Sequence, residues 1–93
     1  MKMPIRYNIV NHLIKNPDGM TPDALYENLK EVYPGERSCT PKEIDKQLMS
    51  LKGAGLAEIV DGEETEDEGL IITYRITEYG RELAKQYIGK FLS

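Results

Sequence analysis

Two lysines one helical turn apart are the residues of this chain best suited to bind an anion. Lys42 and Lys46 are four positions apart, so on a helix their ammonium groups project from the same side. Three residues before the lysines could also bind phosphate oxygens. They are Arg37, with its guanidinium, and Ser38 and Thr40, with their hydroxyl groups. Glu43 and Asp45 alternate with the lysines and bring the local charge close to zero. The spacing therefore predicts either a phosphate-binding surface or an ordinary solvent-facing helix.

The second charged feature is a run of acids. Six of the eight residues 61–68 are Asp or Glu, and they make the whole chain acidic, with a net charge of −4. The residues outside the run carry 12 basic and 10 acidic side chains, so they are slightly basic and leave nucleic-acid binding open. The run lacks the D-x-[DN]-x-[DN]-G spacing of a calcium-binding loop. We expect a solvated loop over 61–69, which could also contact a basic partner.

No group of residues has the composition of an enzyme active site. The sequence holds one histidine, His12, and one cysteine, Cys39, and it contains no Gly-rich phosphate loop. We therefore expect no enzymatic activity, no cofactor, no metal site and no internal disulfide. Cys39 would be redox-sensitive if the N-terminus of the following helix lowered its pKa; otherwise it is a small, partly buried side chain.

Length and hydropathy limit the class of protein. The 93 residues are enough for one domain, which we expect to span 1–93. No apolar stretch approaches the roughly 20 residues of a membrane span. Residues 1–15 mix charged residues and Asn with the apolar ones and do not read as a signal peptide. We expect a cytoplasmic protein with no membrane contact.

Hydrophobic spacing predicts two helices at the start of the chain. The first covers 5–15 and ends in the turn at 16–19. The second begins at Thr21, a good N-cap followed by a proline, and stops at Pro34. Its expected apolar stripe consists of Leu25, Leu29 and Val32.

The third helix has the clearest entry. Thr40 and Glu43 have the spacing of a capping box, in which each side chain accepts from the backbone N–H of the other residue. The helix should cover about 40–52 and stop at the glycines of 53–55. Its predicted inward face consists of Ile44, Leu48 and Leu51.

After Gly55 the pattern changes from helix to strand. A short apolar segment at 56–60 and a β-type run at 70–76 predict a hairpin, whose inward side is formed by Leu70, Ile72, Tyr74 and Ile76. Thr77 then caps a C-terminal helix over 77–92. The predicted fold is α+β and mostly α: three helices, a two-stranded hairpin and a last helix.

This order resembles the winged helix-turn-helix superfamily. The first similar motif is the recognition helix and first wing strand, Thr40-Pro41-x-x-Ile44-x-x-x-Leu48-x-x-Leu51-x-x-x-Gly55-Leu56. The second, Tyr74-x-Ile76-Thr77-x-x-Gly80-Arg81, resembles the junction of second wing strand and last helix in MarR- and PadR-like transcription regulators. The resemblance covers about 5–88 and implies a DNA-binding regulator, although some members of the superfamily bind only other proteins.

The resemblance implies that the third helix enters the major groove of double-stranded DNA. Lys42 and Lys46 would then reach phosphates or guanine edges, and the hydroxyls before the helix would bind phosphates. The residues expected to bind DNA are Arg37, Ser38, Thr40, Lys42, Lys46, Met49 and Ser50.

The acidic run departs from the family pattern, because wings that bind DNA usually carry Lys or Arg at the tip. The alternative function is therefore a protein-interaction module that binds no DNA and uses its acidic wing against a basic partner.

The last helix carries two adjacent apolar stripes, and one domain body can cover only one of them. A homodimer through this helix would bury the other and suit a DNA site with two half-sites. The expected interface consists of Ala84, Ile88, Phe91 and Leu92.

Overall fold

The computed structural model describes residues 3–65 and 69–87, and the predicted winged-helix fold is confirmed there. Three helices are followed by two antiparallel strands and a fourth helix. In chain order the elements are α1 (Ile5–Lys15), α2 (Pro22–Leu29), α3 (Pro41–Gly53), β1 (Ala57–Thr65), β2 (Gly69–Ile76) and α4 (Glu78–Tyr87). None of these described helices is long and apolar enough to span a membrane.

Threonine hydroxyls cap the starts of α2, α3 and α4, as the sequence predicts. Thr21 Oγ1 accepts from the Ala24 N–H at 3.2 Å, and Thr40 Oγ1 accepts from the Glu43 N–H at the same distance. The second hydrogen bond of the expected capping box, from the Thr40 N–H to the Glu43 carboxylate, does not form. The carboxylate accepts from Lys46 instead. The hydroxyl alone satisfies one of the amide groups that a helix start leaves without a partner.

The second helix ends earlier than expected. It stops at Leu29, and Val32, predicted in its apolar stripe, is 43% exposed while Tyr33 is 2% exposed. The Val32 N–H bonds the Leu29 carbonyl, three residues back, which tightens the last turn and shifts the inward position to Tyr33. The Tyr33 hydroxyl then donates to the Met3 carbonyl and accepts from Asn8, which ties this turn to the start of α1.

The core lies between the three helices and the inner side of the hairpin. Each helix contributes side chains with almost no exposure: Ile9 and Leu13 from α1, Leu25 and Leu29 from α2, and Ile44, Leu48 and Leu51 from α3. Burying a side chain of this size contributes about 1.5–3 kcal/mol. Periodicity therefore identified the inward side of α3 correctly. In α1, Asn11 is also buried, although its polar side chain favours the outer side.

Tyr74 joins the wing to the helices. Its backbone N–H and carbonyl both bond Met20, at 2.9 and 2.8 Å, which forms a one-residue bridge to the segment before α2. Its ring is almost fully buried, and its hydroxyl donates to the Asp45 carboxylate of α3 at 3.3 Å. Ile76 is also buried and Ile72 half-buried, in accord with the expected alternation of β2.

The hairpin is longer than the sequence predicts. The acidic run was expected to form a loop over 61–69, but β1 continues to Thr65 and β2 begins at Gly69. Backbone pairing such as Gly62 opposite Ile72 does not depend on the type of side chain, so acidic composition does not end the strand. Residues 66–68 lie outside the described part.

A shift of register between Ile59 and Asp61 makes Val60 an extra residue in β1. Below this bulge Glu58 lies opposite Arg75, and the two side chains form an ion pair at 2.6 Å. The bulge marks the boundary between the part of the wing packed on the helices and the acidic part beyond it.

The start of α4 packs closely on the segment after α3. The Thr77 hydroxyl donates to the Gly55 carbonyl at 2.7 Å and accepts from the Gly80 N–H at 3.0 Å. A Cβ atom at Gly80 would lie 2.8 Å from Ile76 Cδ1 and closer still to the Leu56 carbonyl oxygen. That oxygen already accepts from the Thr77 N–H, so it cannot move away without losing a hydrogen bond.

Gly80→Ala should therefore destabilise the protein by about 1–3 kcal/mol, because the new methyl group overpacks a backbone contact. Gly53→Ala is the matched control, since a Cβ atom at that position meets nothing within 4 Å. It should stabilise the protein by about 0.5 kcal/mol through helix propensity. Urea unfolding followed by circular dichroism measures both, and equal stability of the two variants would contradict the close contact.

Candidate nucleic-acid interface

Packing of α3 decides which of its residues face solvent. Because Ile44, Leu48 and Leu51 point into the core, the opposite side is left for contact with a ligand. This exposed face carries Lys42, Lys46, Met49 and Ser50, four of the seven residues predicted to bind DNA. Met49 is 59% exposed, so its apolar side chain is available for contact with a ligand.

The two lysines of this face differ in their surroundings. Lys46 pairs with Glu43 at 3.3 Å, and both side chains are well exposed. Such surface pairs contribute only about 0–1 kcal/mol, so Lys46 can exchange Glu43 for another anion at little cost. Within residues 3–65 and 69–87, Lys42 makes no ion pair.

The loop before α3 supplies the other three predicted residues. Arg37 is exposed and Ser38 is half-buried. The Thr40 hydroxyl oxygen caps α3, so its first role is structural, although its proton remains available for donation to an acceptor. All seven predicted residues thus lie on α3 or directly before it.

Arg6, at the start of α1, is a component that the sequence analysis missed. Its Nη1 donates to Gln47 Oε1 at 3.0 Å and to Ser50 Oγ at 3.1 Å. These partners are 41 and 44 positions away along the chain, and no spacing rule connects residues so far apart. Only the packing of α1 beside α3 brings this guanidinium to the edge of the exposed face.

The opposite edge of the face carries charges of both signs. A cleft of about 330 Å³ opens there between the starts of α2 and α3 and strand β2, with Asp23, Asp45 and Lys42 in its lining. Burial, together with the charge of Asp45 and its hydrogen bond, raises the pKa of the Tyr74 phenol. Tyr74 therefore keeps its proton and holds the Asp45 carboxylate toward the wing.

The C-terminal helix differs from the expectation for a dimer interface. Ala84 was predicted to contact a second copy, but it is 7% exposed and belongs to the core of its own chain. It also lines an apolar groove of about 310 Å³ between α1 and α4. The reason is that α4 packs on α1 through the side that carries Ala84. Ile88, Phe91 and Leu92 lie outside the described residues.

His12 and Cys39 stand apart from this face. His12 Nδ1 lies 2.9 Å from the Asn8 carbonyl oxygen in the same helix. Among the described residues no group of three or more His, Cys, Asp or Glu side chains could hold a metal ion. Cys39 is 6% exposed, and burial, with a smaller contribution from Glu36, raises its pKa above the ordinary value. The helix N-terminus therefore does not activate this thiol.

Comparison with known proteins supports the fold. No protein-family model and no curated protein sequence matches this chain. A candidate transcriptional regulator from Thermoplasma acidophilum has a similar crystal structure, with a TM-score of 0.72 and 20% sequence identity. The match covers 95% of this chain and 80% of the other. At this level of identity the likeness shows a shared winged-helix fold, and it does not distinguish the MarR- and PadR-like groups.

The buried Cys39 thiol should react slowly. Because its pKa is raised, less thiolate is present at neutral pH, and burial also restricts access. Modification by DTNB in native buffer should be at least about tenfold slower than in concentrated guanidinium chloride, and the native rate should increase as the pH rises. Cys39→Ser, which has no thiol, gives the background absorbance. Equal rates in the two solvents would show that the thiol is accessible in the folded protein.

Proposed function

We propose that this protein is a winged-helix DNA-binding protein that regulates transcription, with α3 in the major groove. The observation that carries the proposal is the exposed face of α3, where Lys42, Lys46 and Met49 point away from the core and Arg6 borders them. The likeness to a candidate transcriptional regulator supports the same function.

The dimensions and chemistry of this face fit duplex DNA. Thirteen residues make α3 roughly 20 Å long, and the diameter of a helix with its side chains matches the major groove, about 12 Å wide. Lys42 and Lys46 can bind phosphates or the acceptor edge of guanine, and Met49 offers an apolar surface to a thymine methyl group. Arg37 and Ser38 would bind the backbone where α3 begins.

The wing is the feature that opposes this function. In the usual geometry of a winged-helix complex its tip approaches the DNA backbone. Each carboxylate about 7 Å from a phosphate costs about 0.3 kcal/mol at 0.1 M salt, so six of them would cost on the order of 2 kcal/mol. Because β1 continues to Thr65, pairing with β2 limits how far the backbone of its acidic part can swing aside.

The alternative is a protein-interaction module whose acidic wing binds a basic partner. The paired strands would present this part of the run on a fixed backbone, which suits a docking surface. The protein-interaction module would bind a basic partner and no DNA, whereas a wing that only weakens DNA binding belongs to a protein that still binds DNA. Binding experiments with the two ligands therefore separate these proposals.

Self-association through α4 is a further part of the proposal. Tyr79 of this helix is 57% exposed, whereas Ala84 is covered by its own chain. A second copy would therefore contact the side that carries Tyr79. A two-fold dimer would place two copies of α3 on successive half-sites.

A duplex titration followed by NMR tests the proposed function directly. Adding a short mixed-sequence duplex at low salt should shift the amide signals of residues 37–50 more than those of α4. An oligolysine peptide serves as the probe for the alternative and should shift signals of the wing. Shifts with oligolysine and none with the duplex would favour the protein-interaction module.

Replacing Lys42 and Lys46 by Ala should weaken duplex binding by about tenfold or more, because two phosphate contacts are lost. If Arg37, Lys42 and Lys46 each contact one phosphate, the slope of log K against log salt should be about −2.7 for a monomer and near −5 for a dimer. The double variant should flatten the slope by about 1.8 per protomer. Fluorescence anisotropy at several salt concentrations measures both quantities.

Lys85→Ala is the control for the Lys46 part of this experiment. Lys85 pairs with Glu82 in the same way as Lys46 pairs with Glu43, at 3.2 Å and three positions apart, but it lies on α4. Its removal should leave duplex affinity within about twofold of the wild type, since the DNA surface does not include α4. Unchanged affinity in the Lys42 and Lys46 variant would exclude α3 as the DNA surface.

Neutralising the acidic run should tighten duplex binding several-fold at low salt, with the gain fading at high salt as screening increases. The substitutions to Gln or Asn are at Glu63, Glu64, Glu66, Asp67 and Glu68. Anisotropy titrations at about 0.05 M and 0.2 M salt measure the effect.

A control with the same change of net charge separates a local effect of the wing on duplex affinity from an effect of the net charge of the protein. It neutralises five exposed acids outside the wing, namely Asp18, Glu27, Glu31, Glu78 and Glu82. A larger gain for the wing variant would place the wing near the duplex, and equal gains would mean that only net charge matters. If neither variant nor the wild type binds DNA, the protein-interaction module is the better proposal.

A further inference from the structure

One guanidinium holds two side chains at the edge of α3. Arg6 Nη1 donates to the Gln47 amide oxygen and to the Ser50 hydroxyl oxygen, and these acceptors are three positions apart on the same helix. Arg6 and Gln47 are half-buried, whereas Ser50 is exposed. The contact therefore lies at the boundary between the packed side of α3 and the proposed DNA-binding face.

The chemistry of arginine fixes the direction of both partners. A guanidinium has donors and no acceptor, so the Gln47 oxygen must face Arg6 and its NH₂ group must face away. The Ser50 oxygen is also turned toward Arg6, which leaves its proton to point elsewhere. Without Arg6 the Gln47 side chain would sample several rotamers, and ordering it on binding would cost conformational entropy. Arg6 thus prepares two donors beside the lysines.

We propose that Arg6 is a positioning residue for DNA recognition, acting through Gln47 and Ser50. The inference rests on the proposed function and adds a source of sequence specificity to it. Through Arg6, α1 orients the donors of the second half of α3, which would bind acceptor groups on DNA. The major groove presents such acceptors at guanine O6 and N7 and at thymine O4. Arg6 differs in this from Lys42 and Lys46, which would contact the DNA directly.

A purely structural role for the contact has to be separated from a role in recognition. The hydrogen bonds of Arg6 lie at a partly exposed site, where water can replace them. The apolar stem of Arg6 makes a separate contribution, since it lines the groove beside Tyr7 and Leu83. Arg6→Met keeps a stem of similar length and removes all the donors, so it tests the hydrogen bonds without emptying the groove.

The experiment compares binding to two duplexes. The first is the duplex that the wild-type protein enriches from a library with a random core, and the second is a scrambled version of it. Arg6→Met should lower the affinity ratio of the two by about fivefold to tenfold, mainly by weakening the enriched duplex. The affinity for the scrambled duplex should change less than about threefold, and Arg6→Lys, which keeps donors at this position, should restore part of the ratio.

The same measurements in a Gln47→Ala/Ser50→Ala background identify the route of the effect. If Arg6 acts through these residues, Arg6→Met should cause no further loss of specificity there. A continued loss, with a salt slope reduced by about 0.9 per protomer, would mean that Arg6 binds a phosphate itself and would overturn the proposal. An unchanged ratio for Arg6→Met in the wild-type background would overturn it as well.

Failure of the proposed function gives a different result. In that case the wild-type protein enriches no duplex and binds all sequences equally or not at all, whereas failure of the Arg6 proposal leaves a wild-type preference that Arg6→Met retains. Thermal unfolding of each variant, followed by circular dichroism, confirms that the compared proteins are folded.

Discussion

The wing of this protein depends on the burial of one tyrosine. A two-stranded hairpin alone is at best marginally stable in water, and among residues 3–65 and 69–87 β1 and β2 have no third strand beyond the single bridge at Met20. Tyr74 supplies that bridge through its backbone, fills the core with its ring and reaches α3 with its hydroxyl. The hairpin is therefore held to the segment between α1 and α2 and to α3 at the same residue.

The same packing decides how α3 is presented. Its apolar side is covered by α1, α2 and the hairpin, so only one face is left for a ligand, and each edge of that face receives a residue from another element. Arg6 of α1 stands at one edge and donates to Gln47, whereas Tyr74 of β2 stands at the other and donates to Asp45. Between these edges lie Lys42, which shares a cleft with Asp23 and Asp45, and Lys46, which pairs with Glu43.

The acidic part of the wing carries charge of the opposite sign to that of Lys42 and Lys46. Its backbone is paired as far as Thr65, beyond the bulge at Val60, so it projects from the helices as part of a ribbon. Salt screens repulsion from the wing, and it also weakens contacts between lysines and phosphates.

Much of this structure could be predicted from local sequence. Threonine caps, glycine stops and the spacing of apolar residues depend on neighbours within about one turn, so they identified the helices, the inward side of α3 and the exposed position of Lys42, Lys46 and Met49. The order of elements then indicated the winged-helix fold.

Other features required the tertiary structure, because they depend on residues far apart along the chain. Tyr33 replaces Val32 in the core where the chain turns toward α1, and Ala84 is buried where α4 meets α1. Strand β1 extends through acidic residues because the backbone of β2 pairs with it. Arg6 reaches Gln47 and Ser50 across more than 40 positions. No local preference encodes such contacts, since they form only when packing of the apolar faces brings the elements together.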